Sequence, residues 1–159
     1  MSFEKSAALP ARGRSILKAG LGAGIAGGIA EIVWIGLVAP LSAPDPTAVA
    51  RGVTEAVLPA LGAGSGAVVL GLAIHMALAV VLGLALAVLL RRALPVERHG
   101  TLGEAALVVG ALAIVWAVNF FVVLPMLSPA FLTLVPLWSA LVSKLLFGAT
   151  AALVFLRLA

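Results

Sequence analysis

Four side chains stand inside long apolar runs where a bilayer would penalise them: Glu31, His75, Asn119 and Lys144. An ionised group near the middle of a membrane helix costs roughly 2.5 to 3.5 kcal/mol on insertion scales, so such groups turn inward and find partners. A carboxylate, an imidazole and an ammonium are the types that hold and release protons, and their protonation responds to burial and to one another. The chemistry they point to is movement of protons, ions or a small solute, on condition that the helices bring them to one place.

Those helices are expected over residues 16–39, 66–90, 102–125 and 131–156. Each is long enough, at about 1.5 Å per residue, to cross about 30 Å of hydrocarbon. Pro40, Pro44 and Pro46 mark the first boundary, and Gly62, Gly64 and Gly66 the second. Pro95 and Gly100 mark the third boundary, and Pro125, Pro129 and Pro136 the fourth. The fourth helix has an alternative start at Pro136, a good first-turn residue, which would leave residues 126–135 as a tight apolar connection.

Depth follows from those boundaries. Glu31 lies nine residues before Pro40, His75 nine after Gly66, Asn119 six before Pro125 and Lys144 eight after Pro136. Successive helices run in opposite directions, so all four fall in one layer roughly 9 to 14 Å below the outer boundary. Rotation is set by small residues. Glu31 continues the Gly20, Gly24, Gly28 stripe, His75 belongs to Gly71, Ala79, Gly83 and Ala87, and Lys144 to Ala140, Gly148 and Ala152. Small residues at such spacings let membrane helices approach closely, which predicts that these three side chains face other helices. The expected arrangement is a Glu31 to Lys144 ion pair with His75 hydrogen-bonded beside it. Asn119 sits two residues off the small stripe of its helix, Ala106, Gly110, Ala113 and Ala117, and is expected to bond across an oligomer interface.

Composition agrees with the helices. Of 159 residues, 64% are hydrophobic and 10% charged, where soluble domains are about half apolar and about a quarter charged. The net charge of +4 comes from basic ends, with no basic patch interleaved with aromatics, and this excludes a nucleic-acid partner. Lys5, Arg12, Arg14, Lys18, Arg91, Arg92, Arg98 and Arg157 lie on one side of the predicted helices and Arg51 on the other, which predicts both termini in the cytoplasm. The expected chain is an all-α integral membrane protein: residues 1–15 form a cytoplasmic tail and residues 16–159 a single four-helix transmembrane domain. The first apolar run contains Glu31 and no convincing cleavage site, so it is read as a retained helix rather than a secretion signal.

The one long outer connection, about residues 45–62, reads as a short amphipathic surface helix. Asp45 is its expected cap and Pro46 its start, with Val49, Val53, Ala56 and Val57 near one face and Arg51, Thr54 and Glu55 elsewhere. It serves as a strut over the bundle or as a gate over a site. A weak echo, Pro40 and Pro44 with Pro125 and Pro129, then Gly83 and Arg92 with Gly148 and Arg157, raises a duplication of two helical hairpins about the membrane normal.

Other chemistries find little support. Without cysteine there is no disulfide, thiol redox centre or thiolate metal site. Haem would need a second intramembrane axial ligand, whereas His99 belongs to the loop "PVERHGTLGE". Glu31 and His75 could ligate a metal only against the charge of Lys144. Ser143 beside Lys144 suggests a serine and lysine pair, but neighbours on a helix diverge by about 100° and no oxyanion donors accompany them. No enzymatic activity and no cofactor are expected. The alternative to transport is a non-catalytic accessory or scaffold subunit of a larger membrane complex, in which the same polar layer locks the bundle.

The segments "GLAIHMALAVVLG", "NFFVVLPMLSPAF" and "LVSKLLFG" together resemble a loose group of small four-helix bacterial membrane proteins of unknown function. The resemblance covers most of the chain after the tail and implies a bacterial inner membrane. It also implies a histidine at the position held here by Lys144, before Phe147 and Gly148; the lysine argues against a paired-histidine role and gives Glu31 a cationic partner.

Overall fold

The computed structural model describes residues 11–42, 45, 47–95, 99 and 101–158, without the side chains of residues 11–15 and 42. Lys5, Pro44, Pro46, Arg98 and Gly100 lie outside the described residues, as do the side chains of Arg12 and Arg14. All regular structure among the described residues is helical: α1 (Ala11–Ser42), α2 (Ala48–Val57), α3 (Ala67–Ala93), α4 (Leu102–Val118), α5 (Leu124–Leu127) and α6 (Leu137–Leu158). A π-helical turn, Asn119–Val123, joins α4 to α5. Four spans, Ile16–Leu41, Ala67–Ala93, Leu102–Leu127 and Leu137–Leu158, are long and apolar enough to cross a membrane, the make-up of an integral membrane protein.

Two prolines do not end helices as the sequence predicts. Pro40 lies inside α1. Its ring is directed at the carbonyl one turn back, and that position is Gly36, an exposed residue whose missing side chain leaves the turn room to bend. Pro125 follows the π turn, in which the Leu124 N–H donates to the carbonyl of Asn119 rather than one residue nearer. The widened turn accommodates a residue that has no N–H of its own. The last long helix starts at Leu137, directly after Pro136, and residues Pro129–Thr133 form a 3-10 turn, so the shorter reading of that helix is the correct one. At the other end, α1 already begins at Ala11, inside the segment expected as a tail.

The long helices form a row, α3 against α1, α1 against α6, and α6 against α4. Neighbours are antiparallel, which puts the N-terminal end of α1 and the C-terminal end of α6 together at what we call the terminal end of the bundle. Gly24 and Gly83 set the α1/α3 distance. A Cβ on Gly24 would stand 2.6 Å from Cα of Val80, and one on Gly83 2.6 Å from Cα of Gly24. Backbones this close exclude any side chain. On α1 the opposite surface is the exposed series Ile25, Ile29, Val33 and Leu37, suited to lipid. Within the duplication, Gly83 lies in the α1/α3 contact and Gly148 against Val109 in the α4/α6 contact. A two-fold axis would also pair α3 with α4 as α1 pairs with α6, but α3 and α4 form no equivalent interface.

The buried core, with Ala23, Leu86, Leu112, Phe147, Ala151 and Phe155 among its members, fills the terminal half. A second cluster of Phe120, Leu124, Val135 and Ala140 lies toward the far end. Trp34 Nε1 closes that end by donating to the Ser139 carbonyl at 3.0 Å.

Candidate functional site

Glu31 stands where the two contacts of α1 converge. Toward α3, α1 presents Gly20, Gly24 and Gly28, which meet Leu84, Val80 and Ala79 in turn. Toward α6, Gly27 packs on the Phe147 ring, and Trp34 lies on Ser139. One turn beyond Gly27 and Gly28, the next inward residue is Glu31, which is 2% exposed. A carboxylate in that position is held by whatever α3 and α6 offer at the same level.

They offer three groups. Lys144 Nζ donates to Oε1 of Glu31 at 2.6 Å, and Ser143 Oγ donates to the same oxygen at 3.0 Å. Oε2 faces Nε2 of His75 at 3.6 Å, beyond hydrogen-bond range. That ring nitrogen is buried and has no hydrogen-bond partner among the described residues. His75 is therefore beside the carboxylate without being bonded to it; the hydrogen bond it makes is with the backbone of Gly28, one turn before Glu31. The side chains of His75 and Lys144 keep 27% and 18% exposure, so the layer is sealed around the carboxylate and partly open around its basic neighbours. Lys144 Nζ also lies 5.8 Å from the centroid of the Phe147 ring, which floors the site on its terminal side.

The stripe containing His75 runs along α1 as its spacing predicts. The α6 stripe does not. Gly148 faces Val109 of α4, and the residues of α6 turned to α1 are Ser139, Ser143 and Phe147. Lys144 reaches Glu31 by its length from the edge of that face. Ser143 enters the sequence reading only as a rejected serine and lysine pair, and its bond to Glu31 is what that reading misses. Its signal is the run Ser139, Ser143, Phe147 and Ala151 at every fourth position, a second inward stripe one residue ahead of the small one.

Asn119 has no side-chain hydrogen bond among the described residues and does not join the site. It opens the π turn, half-buried between exposed Val118 and buried Phe120. The small stripe is what faces out: a Cβ on Gly110 would meet nothing within 4 Å. The reason is that α6 supplies the small residue at the α4/α6 contact, Gly148, leaving α4 free to pack with Val108 and Leu112.

At the far end α2 docks on the stripe that carries His75. The Ala50 carbonyl abuts Gly71, one turn from His75, and Thr54 Oγ1 donates to the Ala67 carbonyl at 2.6 Å. Thr54, read from the sequence as lying off the apolar face, is fully buried, while Val57 is exposed. Asp45 fastens the start of the helix by accepting from the N–H and Oγ1 of Thr47 and from Arg51 Nη2 at 2.8, 2.6 and 2.9 Å. The Thr47 hydroxyl first, then Arg51, hold its carboxyl down at about 2.

A second carboxylate and histidine meet at the terminal end, where His99 Nδ1 lies 3.2 Å from Oε1 of buried Glu104 and the histidine itself is half-buried. Thr101 caps α4 there by accepting from the Glu104 N–H at 3.3 Å.

Compared with known protein families, curated proteins and solved structures, the chain matches none of them. Its functional reading therefore stands on this geometry alone.

Proposed function

We propose that this chain is a small, non-enzymatic membrane protein that moves protons, ions or a small solute through the layer built on Glu31, His75 and Lys144. The observation that carries the reading is the division of labour on one buried carboxylate: Oε1 is fully engaged by Lys144 and Ser143, while Oε2 faces an unbonded imidazole nitrogen. A group that only locked a bundle would gain from bonding both oxygens, since unpaired buried polar atoms cost stability.

Four long helices are few for a complete path, so the working unit is a homo-oligomer or a larger membrane complex. The exposed small stripe of α4 around Gly110 is suited to such contacts. Lys18, Arg91, Arg92 and Arg157 gather at the terminal end and Arg51 at the far end, which supports cytoplasmic termini in a bacterial inner membrane. The far end would then be the outer face, with α2 covering the way to His75.

A second reading, a non-catalytic scaffold, is favoured by one specific observation, the almost complete burial of Glu31 above an apolar floor. Flux into vesicles reconstituted with the full chain separates the two. Transport predicts solute or ion movement above protein-free vesicles that falls in Glu31→Gln, His75→Ala and Lys144→Met. The scaffold predicts that these variants change only stability or assembly.

A further inference from the structure

We infer that the species taken up at this site is a proton, bound to Nε2 of His75 against Oε2 of Glu31, and that Lys144 is the resident cation it displaces. The step deepens the transport reading and rests on it for its consequence across the membrane.

The gap of 3.6 Å between Oε2 and Nε2 decides among occupants. A bridging water needs about 2.8 Å to each atom, which would set them roughly 4.5 Å apart. A transition metal needs about four ligands, and the described residues hold no group of three or more His, Cys, Asp or Glu able to supply them. The Lys144 ammonium, 2.6 Å from the same carboxylate, also opposes a second metal charge. A proton needs only that the two atoms close by a few tenths of an ångström.

Charge then couples His75 to Lys144. Uptake breaks an O–H bond of hydronium and forms an N–H bond at Nε2, with no change in oxidation state. The imidazolium now balances the single negative charge of Glu31, so the lysine becomes surplus in a low-dielectric layer. Its flexible stem and partly exposed side chain let it swing away while Ser143 stays on Oε1. Among the described residues no other charge faces the ring. From α1 the group facing His75 is Glu31, and from α6 it is Lys144. For its part, α2 turns Thr54 and the Ala50 carbonyl toward α3, keeps Arg51 on Asp45 and leaves Glu55 exposed.

Two measurements on the full chain test this. The first is nitrogen-15 NMR of His75 in lipid at neutral pH. The parent is expected to show one bare and one protonated ring nitrogen, Lys144→Met two protonated nitrogens, and the Glu31→Gln/Lys144→Met double variant one bare nitrogen again. Lys144→Gln serves in the same way where Lys144→Met does not fold. An identical His75 pattern in the parent and a folded lysine variant overturns the inference. The second is flux in vesicles containing a pH-sensitive dye. A pH gradient should drive a response at least tenfold above protein-free vesicles, lost in His75→Ala, and a sodium or potassium gradient should drive none. Cation-driven flux without a dye response overturns the proton and leaves transport standing. The NMR coupling without any flux upholds the proton site and overturns transport.

Discussion

Lys144 Nζ sits 2.6 Å from Oε1 of Glu31 across 113 residues of sequence, and the pair ties α6 to α1 at the level where α1 also meets α3. Removing one partner strands a buried charge, which typically costs about 3 to 5 kcal/mol, whereas removing both leaves a neutral contact. Lys144→Met is therefore expected to destabilise the protein strongly in detergent or lipid at high pH, where His75 is neutral and does not balance Glu31, and Glu31→Gln/Lys144→Met to recover most of the loss. Thermal or denaturant unfolding of the two single variants and the double variant measures the coupling. Simple additivity of the single losses would sink the pair as a structural unit.

The α1/α3 contact makes a sharper prediction because backbone, not side chain, opposes change. Gly83→Ala places a Cβ against the Gly20 carbonyl and Gly24, and should cost about 1 to 3 kcal/mol or more through forced separation of the helices. Gly110→Ala meets open space on α4, so it should be neutral or stabilise the monomer by up to about 1 kcal/mol through helix propensity. Unfolding of both variants at matched detergent concentration checks the contrast, and equal losses would contradict it.

These glycines also show what the sequence makes legible. The four spans follow from apolar run lengths, the inward faces of Glu31 and His75 from small residues repeating along their helices, and the meeting of Glu31 with Lys144 from their opposite charges at one depth. Two kinds of feature stay hidden. One is which of two adjacent stripes on a helix meets which neighbour: α6 carries both Ser139/Ser143 and Ala140/Lys144, one residue apart, and only the row order of helices assigns them. The other is how a proline is absorbed. Pro40 and Pro125 read as ends, yet Gly36 and the π turn at Asn119 carry the helix past them. The histidine and carboxylate pair at the terminal end is within reach of the sequence, since Thr101 and Glu104 spell a capping box that fixes the carboxylate beside His99.

One buried hydroxyl ties α2 to α3 beside the packing of Ala50 on Gly71. Thr54 is fully buried and its Oγ1 donates to the Ala67 carbonyl at 2.6 Å, at the first turn of α3. Thr54→Val keeps the shape but removes the donor, leaving a buried carbonyl without that bond, at a cost of about 1 to 3 kcal/mol. Because α2 is short, the loss should appear as local undocking. Hydrogen exchange of the α2 amides is expected to quicken roughly tenfold or more in Thr54→Val while the α1 and α6 amides change little. Uniform quickening across the chain would instead show that α2 and the bundle unfold as one.

The start of α2 should respond to acid. In the folded chain the Asp45 carboxyl is lowered from 3.8 to about 2, chiefly by the Thr47 hydroxyl and then by Arg51. A group whose folded value lies below its unfolded value binds more protons when unfolded, so its contribution is fully present above about pH 4. That contribution is lost as pH falls through the folded value, which puts the window between about pH 4 and pH 2. Asp45 is solvent-exposed and its ion pair with Arg51 is screened, so the effect should be confined to α2 rather than to the whole fold. Hydrogen exchange of the first α2 amides, corrected for its intrinsic pH dependence, should show protection falling across that window in the parent. Asp45→Asn should flatten the profile at the unprotected level. A profile in Asp45→Asn that still steps between pH 4 and pH 2 would assign the acid response to another group.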